Sequence, residues 1–218
     1  MGLFLDSAKI DEVRRAVELG FLSGVTTNPT IMARANGQPK EIIQQICAIS
    51  PGPVFYQVTA KTAAEREHEG RDLWAIAPKK IVIKIPATTE NMTLMAKLSR
   101  DIPCAATAVY SGHQALVACE AGARYVIPYV NRATRLLGDG CKLVAEMAAV
   151  LKAVGKPVEI LAASIKSADE ATQAVLAGAN HLTLPLDILL SLGNHQLSEA
   201  AIEEFSRAAT QTNPEVRS

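Results

Sequence analysis

Aromatic residues are scarce in this 218-residue chain: Phe, Trp and Tyr together make up 4% of it. Its core is therefore expected to be aliphatic, drawn from the Ala, Val, Ile and Leu that dominate a hydrophobic total of 49%. Net charge is also lacking, since 22 basic residues meet 22 acidic ones. Without a basic excess no surface tracks a phosphate backbone, which argues against nucleic acid as a main partner. Near-neutrality likewise gives little self-repulsion against oligomerisation. Cysteine is limited to Cys47, Cys104, Cys119 and Cys141. None stands in a C-x-x-C pair or near a histidine at zinc-site spacing, so free buried thiols are expected and a metal centre is not. No apolar run reaches the roughly 18 residues that a membrane span needs. The start, Met1-Gly2-Leu3-Phe4-Leu5-Asp6, has no basic n-region and meets a carboxylate at once, unlike a signal peptide. These absences describe a cytoplasmic protein with no membrane partner.

What is present is alternation. Short apolar runs at residues 3–5, 24–27, 53–58, 81–86, 103–109, 124–130, 158–162 and 181–184 read as strands. Helical patterns separate them: 8–20 capped by Ser7, 39–49, 62–77, 89–99, 112–121, 140–154 after a Gly-containing loop, and 167–177 capped by Ser167. The charged run Glu65-Arg66-Glu67-His68-Glu69 within the third of these helices reads as a solvated face. Helical segments over 185–192 and 196–209 close the chain, and the polar tail after Gln211 is expected to fray. Alternation of this kind means a parallel sheet with helices outside. Eight units suggest a single (β/α)8 barrel domain over residues 1–218, with an extra C-terminal helix. A doubly wound open sheet is the alternative. It usually carries five or six strands and a Gly-rich first turn, whereas the first turn here is Leu5-Asp6-Ser7-Ala8 and no G-x-G-x-x-G occurs.

One strand is unusual. Ile81-Val82-Ile83-Lys84-Ile85-Pro86 has the β-branched composition of a strand buried on both faces, yet a lysine stands in its middle. Burial disfavours the charged ammonium and lowers its pKa, the condition for a nucleophilic amine that forms a Schiff base. The structural alternative is a lysine near a strand end, reaching to water along its aliphatic stem. Alternation places Lys84 on one face with Val82 and the three isoleucines on the other. With the isoleucines against the outer helices, Lys84 points into the barrel.

Active sites of such barrels lie at the carboxyl ends of the strands. The polar residues there are Asp6, Thr26 with Asn28, Gln57 with Thr59, Lys84, Thr107, Tyr129 with Asn131 and Arg132, Ser164 with Lys166, and Asp187 beyond the last strand. They suit iminium chemistry. The amine of Lys84 attacks a ketone, and the iminium is an electron sink for cleavage of the adjacent C–C bond. Asp6 suits the proton transfers of carbinolamine formation. Tyr129 suits the hydroxyl proton of the departing aldehyde, through a water held by Gln57 and Thr107. Arg132 and Ser164 suit a phosphate, because a guanidinium matches phosphate oxygens with paired hydrogen bonds. Thr26, Asn28 and Asn131 complete the set expected to bind substrate. Each has a plainer alternative: Asp6 as a helix cap, Tyr129 as a core residue, Arg132 as a surface residue in a long loop.

Leu5-Asp6, Gly24-Val25-Thr26-Thr27-Asn28-Pro29, Ile83-Lys84-Ile85-Pro86, Thr107-Ala108-Val109-Tyr110, Pro128-Tyr129-Val130-Asn131-Arg132, Leu161-Ala162-Ala163-Ser164 and Leu182-Thr183-Leu184-Pro185-Leu186 stand in the order and spacing of the small transaldolase family. The resemblance runs to about residue 207. It implies a (β/α)8 barrel, a Schiff-base lysine at Lys84, no metal and no organic cofactor, and a sugar-phosphate substrate. It also implies homo-oligomers, often pentamers or decamers, assembled partly through the C-terminal helix at about 196–209. Two activities live in the family: transaldolases transfer a dihydroxyacetone unit between sugar phosphates, and fructose-6-phosphate aldolases cleave fructose 6-phosphate to dihydroxyacetone and glyceraldehyde 3-phosphate. Transaldolases typically carry Glu where this chain has Gln57 and Phe where it has Tyr129, so the chain resembles the aldolase branch. A non-catalytic sugar-phosphate-binding barrel is the remaining alternative. The chain departs from the family pattern at Ile127, where a small residue is usual, at Ala105-Ala106 in place of Leu-Gly, and at Ser7 in place of Thr. These positions are expected to line or adjoin the pocket.

Overall fold

The structure is a computed structural model that describes residues 1–212. Eight parallel strands close in sequence order: β1 (Gly2–Asp6), β2 (Leu22–Thr26), β3 (Val54–Gln57), β4 (Ile81–Pro86), β5 (Cys104–Val109), β6 (Tyr125–Pro128), β7 (Glu159–Ala162) and β8 (His181–Leu184). Closure comes from β1, which pairs with both β2 and β8. Around them lie α1 (Ile10–Glu18), α2 (Pro29–Met32), α3 (Pro39–Ile49), α4 (Ala63–Trp74), α5 (Thr89–Leu98), α6 (Gly112–Glu120), α7 (Val130–Leu137), α8 (Gly140–Val154), α9 (Ala168–Leu176), α10 (Leu186–Ser191) and α11 (Gln196–Thr212). The chain is thus a single (β/α)8 barrel. The frayed tail expected after Gln211 falls, from residue 213 onward, outside the described residues. Among the described residues no helix is long and apolar enough to cross a membrane.

The barrel has two cores, divided by the twofold alternation of its strands. Outward side chains such as Val54, Ile81, Ile83 and Ile85 pack with the helices in an almost wholly aliphatic layer. Inward ones form a smaller cluster of Phe4, Phe55, Val82, Ala105, Tyr125, Ile127, Leu161 and Ala163. The aliphatic expectation holds for most of the core, but three of the nine aromatics, Phe4, Phe55 and Tyr125, stand together in the inner cluster. Phe4 meets Phe55 edge-on at 5.7 Å, and Phe55 meets Tyr125 at 5.1 Å. Such edge-to-face pairs contribute about 0.5–1.5 kcal/mol beyond their burial. Gly24 makes the space for Phe4, since a Cβ there would lie 2.7 Å from the Phe4 ring and closer still to the carbonyl of Pro53.

Side-chain caps set where most outer helices begin. Thr62, Thr88, Ser111, Asp139 and Ser167 each accept a hydrogen bond from the backbone three residues on, which satisfies an otherwise orphaned amide. Four local features differ from the sequence reading or add to it. Ser7 does not cap α1, which begins after Lys9 without a side-chain cap; its hydroxyl accepts from Lys9 N–H (3.2 Å) and donates to Glu12 (2.6 Å). The four-residue α2, not read from the sequence, begins at Pro29 and is capped by Asn28, whose Oδ1 accepts from Ile31 N–H at 3.0 Å. The sixth strand stops at Pro128 rather than at residue 130, and α7 starts directly after Tyr129. Its first amides, Val130 and Asn131, still bond to the carbonyls of Ala163 and Ser164, so the turn into helix stays docked on the end of β7. Lastly, the charged run at 65–69 is a solvated face only in part: Glu65 and His68 are exposed, but the other three are not. Arg66 is buried, and its guanidinium donates to the carbonyls of Ala60 and Lys61 and to Glu90.

Replacing Gly24 with Ala should destabilise the fold by about 1–3 kcal/mol, the usual cost of overpacking. Gly193→Ala, where nothing lies within 4 Å of the added Cβ, should stay within about 0.5 kcal/mol of wild type. Urea unfolding of the two variants side by side measures both.

Candidate active site

Lys84 projects from β4 into the carboxyl-terminal mouth of the barrel, on the face it shares with Val82, while Ile81, Ile83 and Ile85 join the outer layer. It is 3% exposed, and its Nζ donates to the carbonyl of Thr27 at 2.8 Å. A carbonyl offers a dipole and no countercharge. Burial accordingly pulls the amine down to about 8, with the charge of Asp6 partly opposing the shift.

Asp6 ends β1 beside it. Burial raises its carboxyl, against the charge of Lys84, a hydrogen bond from Thr26 and the more distant charge of Lys166. Thr26 donates its one hydroxyl proton to Asp6 Oδ1 at 2.8 Å, so in the 2.6 Å contact between Thr26 and Thr183 the donor is Thr183. Sequence reasoning missed Thr183 and pointed beyond the eighth strand to Asp187. Asp187 is exposed and lies outside the cavity lining, whereas Thr183 is buried. The signal was available: Thr183 is the inward-phase hydroxyl of an otherwise apolar stretch, the same alternation that placed Lys84.

On the far side, Tyr129 and Thr107 share a hydrogen bond of 3.1 Å. Burial is the main cause that raises the phenol, which holds it neutral. The Arg132 guanidinium lies 5.0 Å from the centre of the Tyr129 ring. Gln57 is the register partner of Lys84 across β3 and β4, and its Oε1 is buried with no hydrogen-bond partner. An orphaned buried acceptor costs about 1–3 kcal/mol, so this oxygen is a place for a water or a substrate hydroxyl.

These groups open on a cavity of about 550 Å³. Asp6, Gln57, Lys84 and Tyr129 line its depth, with Asn28 beside them, and Arg132 and Ser164 line the side of β6 and β7. Ser164 has φ of 60°, a left-handed conformation rare for serine, and its carbonyl is held by Asn131 N–H at 3.0 Å. Thr26 and Thr107 are fully buried behind the lining and reach the cavity through Asp6 and Tyr129. Asn131 is not part of the lining. Arg132 arrives on α7, not in a long loop. Thr59, counted with Gln57 from the sequence, instead bonds to Glu69. Ser7 does line the cavity, but Ala105 and Ile127 do not: both are fully buried in the inner cluster. Among the described residues no three His, Cys, Asp or Glu side chains gather as a metal site.

Residues 3–217 match the family model described as Transaldolase/Fructose-6-phosphate aldolase. A probable transaldolase of Chlorobium limicola is 38% identical over 214 residues, covering 94% of this chain and 96% of its own. One of Clostridium botulinum is 36% identical over 208 residues, with 95% of each chain covered. One of Methanococcus maripaludis is 38% identical over 206 residues, covering 94% of this chain and 95% of its own. Among solved structures, a mandelate oxidase superposes with a TM-score of 0.60 at 16% identity, over 88% of this chain and 68% of that one. A flavocytochrome b2 superposes with a TM-score of 0.59 at 14% identity, over 85% of this chain and 56% of that one. At such identities those two share the barrel and nothing finer. The full-length family match accounts for a buried amine at the mouth of a barrel whose strand ends are otherwise hydroxyls, amides and one carboxyl: the chain belongs to the transaldolase/fructose-6-phosphate aldolase family and is an enzyme of the class I aldolase/transaldolase type.

Proposed function

We propose that the enzyme is a Schiff-base lyase that cleaves fructose 6-phosphate to dihydroxyacetone and glyceraldehyde 3-phosphate, and joins dihydroxyacetone to aldehydes in reverse. The observation that carries the choice of lyase is the pair of neutral groups beside Lys84: the Tyr129 phenol bonded to Thr107, and the unpartnered Oε1 of Gln57.

The reaction begins when the amine of Lys84 adds to the C2 carbonyl. Asp6 supplies and takes the protons that turn the carbinolamine into an iminium and a water. Arg132 and Ser164 hold the phosphate at the other end, on the side of the cavity away from Gln57. As the C3–C4 bond breaks, the bonding pair moves into the iminium, the O4 proton leaves and glyceraldehyde 3-phosphate departs. Cleavage then needs one net transfer, of a proton from O4 to C3. A water held between Tyr129 and Gln57 is placed to carry it, since neither a neutral phenol nor an amide retains a proton. A carboxylate at position 57 would keep the proton and leave the three-carbon carbanion to await an acceptor. Protonated at C3, the intermediate is an iminium of dihydroxyacetone, and water returns it to free ketone and free Lys84.

Transfer of the same three-carbon unit between sugar phosphates is the second reading. It is favoured by the relatives, which are named probable transaldolases. The exposed Leu197, Ile202 and Phe205 of α11 support the homo-oligomer that the family implies.

Treatment with dihydroxyacetone and cyanoborohydride should leave a reduced three-carbon adduct on Lys84, found by peptide mass spectrometry, and Lys84→Ala should abolish both adduct and turnover. Because the amine titrates at about 8 and only its neutral form adds to a ketone, the initial trapping rate should rise with pH through about 8 and then level off. A rise centred near the ordinary lysine value would remove burial as the activating cause.

With fructose 6-phosphate alone, release of glyceraldehyde 3-phosphate should proceed without erythrose 4-phosphate. Turnover that requires that acceptor would establish the transferase instead. Tyr129→Phe should lower cleavage by about 10²–10⁴-fold, the usual contribution of an acid/base group.

A further inference from the structure

Gln57 has little to hold it in place. Its Oε1 has no partner. Besides the active cavity it lines a second one of about 350 Å³, together with Met32, Ala33, Tyr56 and Thr59. Its position therefore depends on the backbone at the end of β3. Beyond its ladder with β4, that backbone is fastened by one carboxylate. Tyr56, directly before Gln57, points outward, and its hydroxyl donates to Glu69 Oε1 at 2.8 Å. Just after Gln57, the amides of Thr59 and Ala60 donate to Glu69 Oε2 at 2.8 and 2.9 Å, and the Thr59 hydroxyl donates to Oε1 at 3.2 Å. All four donors are neutral, and they flank Gln57 on both sides. Val58 N–H bonds to the carbonyl of Lys84, so the segment Glu69 grips is also the one aligned with the amine.

We infer that Glu69 is a positioning residue for Gln57: by clamping Tyr56, Thr59 and Ala60 it sets where the Gln57 amide stands at the intermediate on Lys84, and so how that intermediate divides between release and transfer. The inference rests on the role proposed above for Gln57. Glu69 touches no substrate; it acts through the strand end. Charge-assisted bonds to backbone amides are about twice as strong as neutral ones, and one acceptor serving two amides and two hydroxyls cannot be replaced by water without loosening the turn. Arg132 and Ser164 lie across the barrel, on the elements after β6 and β7, so phosphate binding is insulated from the clamp.

The readout is a ratio. With fructose 6-phosphate and erythrose 4-phosphate present together, the three-carbon unit leaves either as dihydroxyacetone or as a ketoheptose phosphate, and their ratio does not depend on how much enzyme is folded. Glu69→Gln and Glu69→Ala should change that ratio at least fivefold, in the direction of Gln57→Ala. Values of KM for fructose 6-phosphate should stay within about twofold. Tyr56→Phe, which removes one donor and keeps the carboxylate, should move the ratio the same way by less, and it keeps the test intact if Glu69→Ala does not fold. A ratio within twofold of wild type in both Glu69→Gln and Tyr56→Phe would overturn the inference, even with a lowered melting temperature, because a merely structural clamp moves stability alone. A wild-type enzyme that neither cleaves nor transfers would sink the proposed function and this inference together; unchanged ratios in a working enzyme would sink only this one.

Discussion

A buried amine whose hydrogen-bond partner is a carbonyl oxygen sits in an environment that favours its neutral form. That imbalance at Lys84 is the constraint on which the surrounding barrel mouth is arranged. Moving a carboxylate into contact would restore the charge and remove the nucleophile, so Asp6 has to act on the amine without neutralising the effect of burial. It is tied back instead by Thr26, itself held by Thr183. The layout separates two needs of iminium chemistry, a free electron pair on nitrogen and a nearby proton carrier, by giving the carboxyl its own hydroxyl partners.

The inner and outer layers explain why the arrangement is stable. The inward positions below the mouth form one closed cluster, with Phe4, Phe55 and Tyr125 in edge contact through Phe55. This puts a packed, largely apolar floor under Lys84. Few aromatics are needed for it: three large rings suffice where the enclosed volume is small.

Much of this was legible in the sequence, and each miss has a physical cause. Strand alternation gave the barrel and the inward direction of Lys84 because both depend on local periodicity. Asp6, Gln57, Thr107 and Tyr129 came from the position of polar groups at strand ends, which the topology makes spatial neighbours. The helix α7 was not visible because Tyr129 and Val130 extend an apolar run, and only the docking of their backbone on β7 shows where the strand stops. The charged run at 65–69 misled for a different reason. Arg66 and Glu69 do face away from the barrel core, but the connection from β3 folds back over them, and no pattern within the helix encodes that contact. Thr183 had a readable phase, yet β8 runs out into Leu184, Pro185 and Leu186. The first ionisable group past that apolar end is Asp187, which stood in for a hydroxyl lying inside the strand itself.

The two departures inside the barrel acquire a common meaning from their placement. Ala105 stands where the family usually has leucine, and Ile127 where it usually has a small residue. Both side chains belong to the same enclosed cluster, and neither reaches the cavity. The register sets Ala105 beside Lys84 and Ile127 beside Thr107, within a compartment that tolerates neither a void nor excess. Volume added or lost at either position therefore presses on the amine or on the hydroxyl pair from below, and reaches the ketone through packing instead of contact.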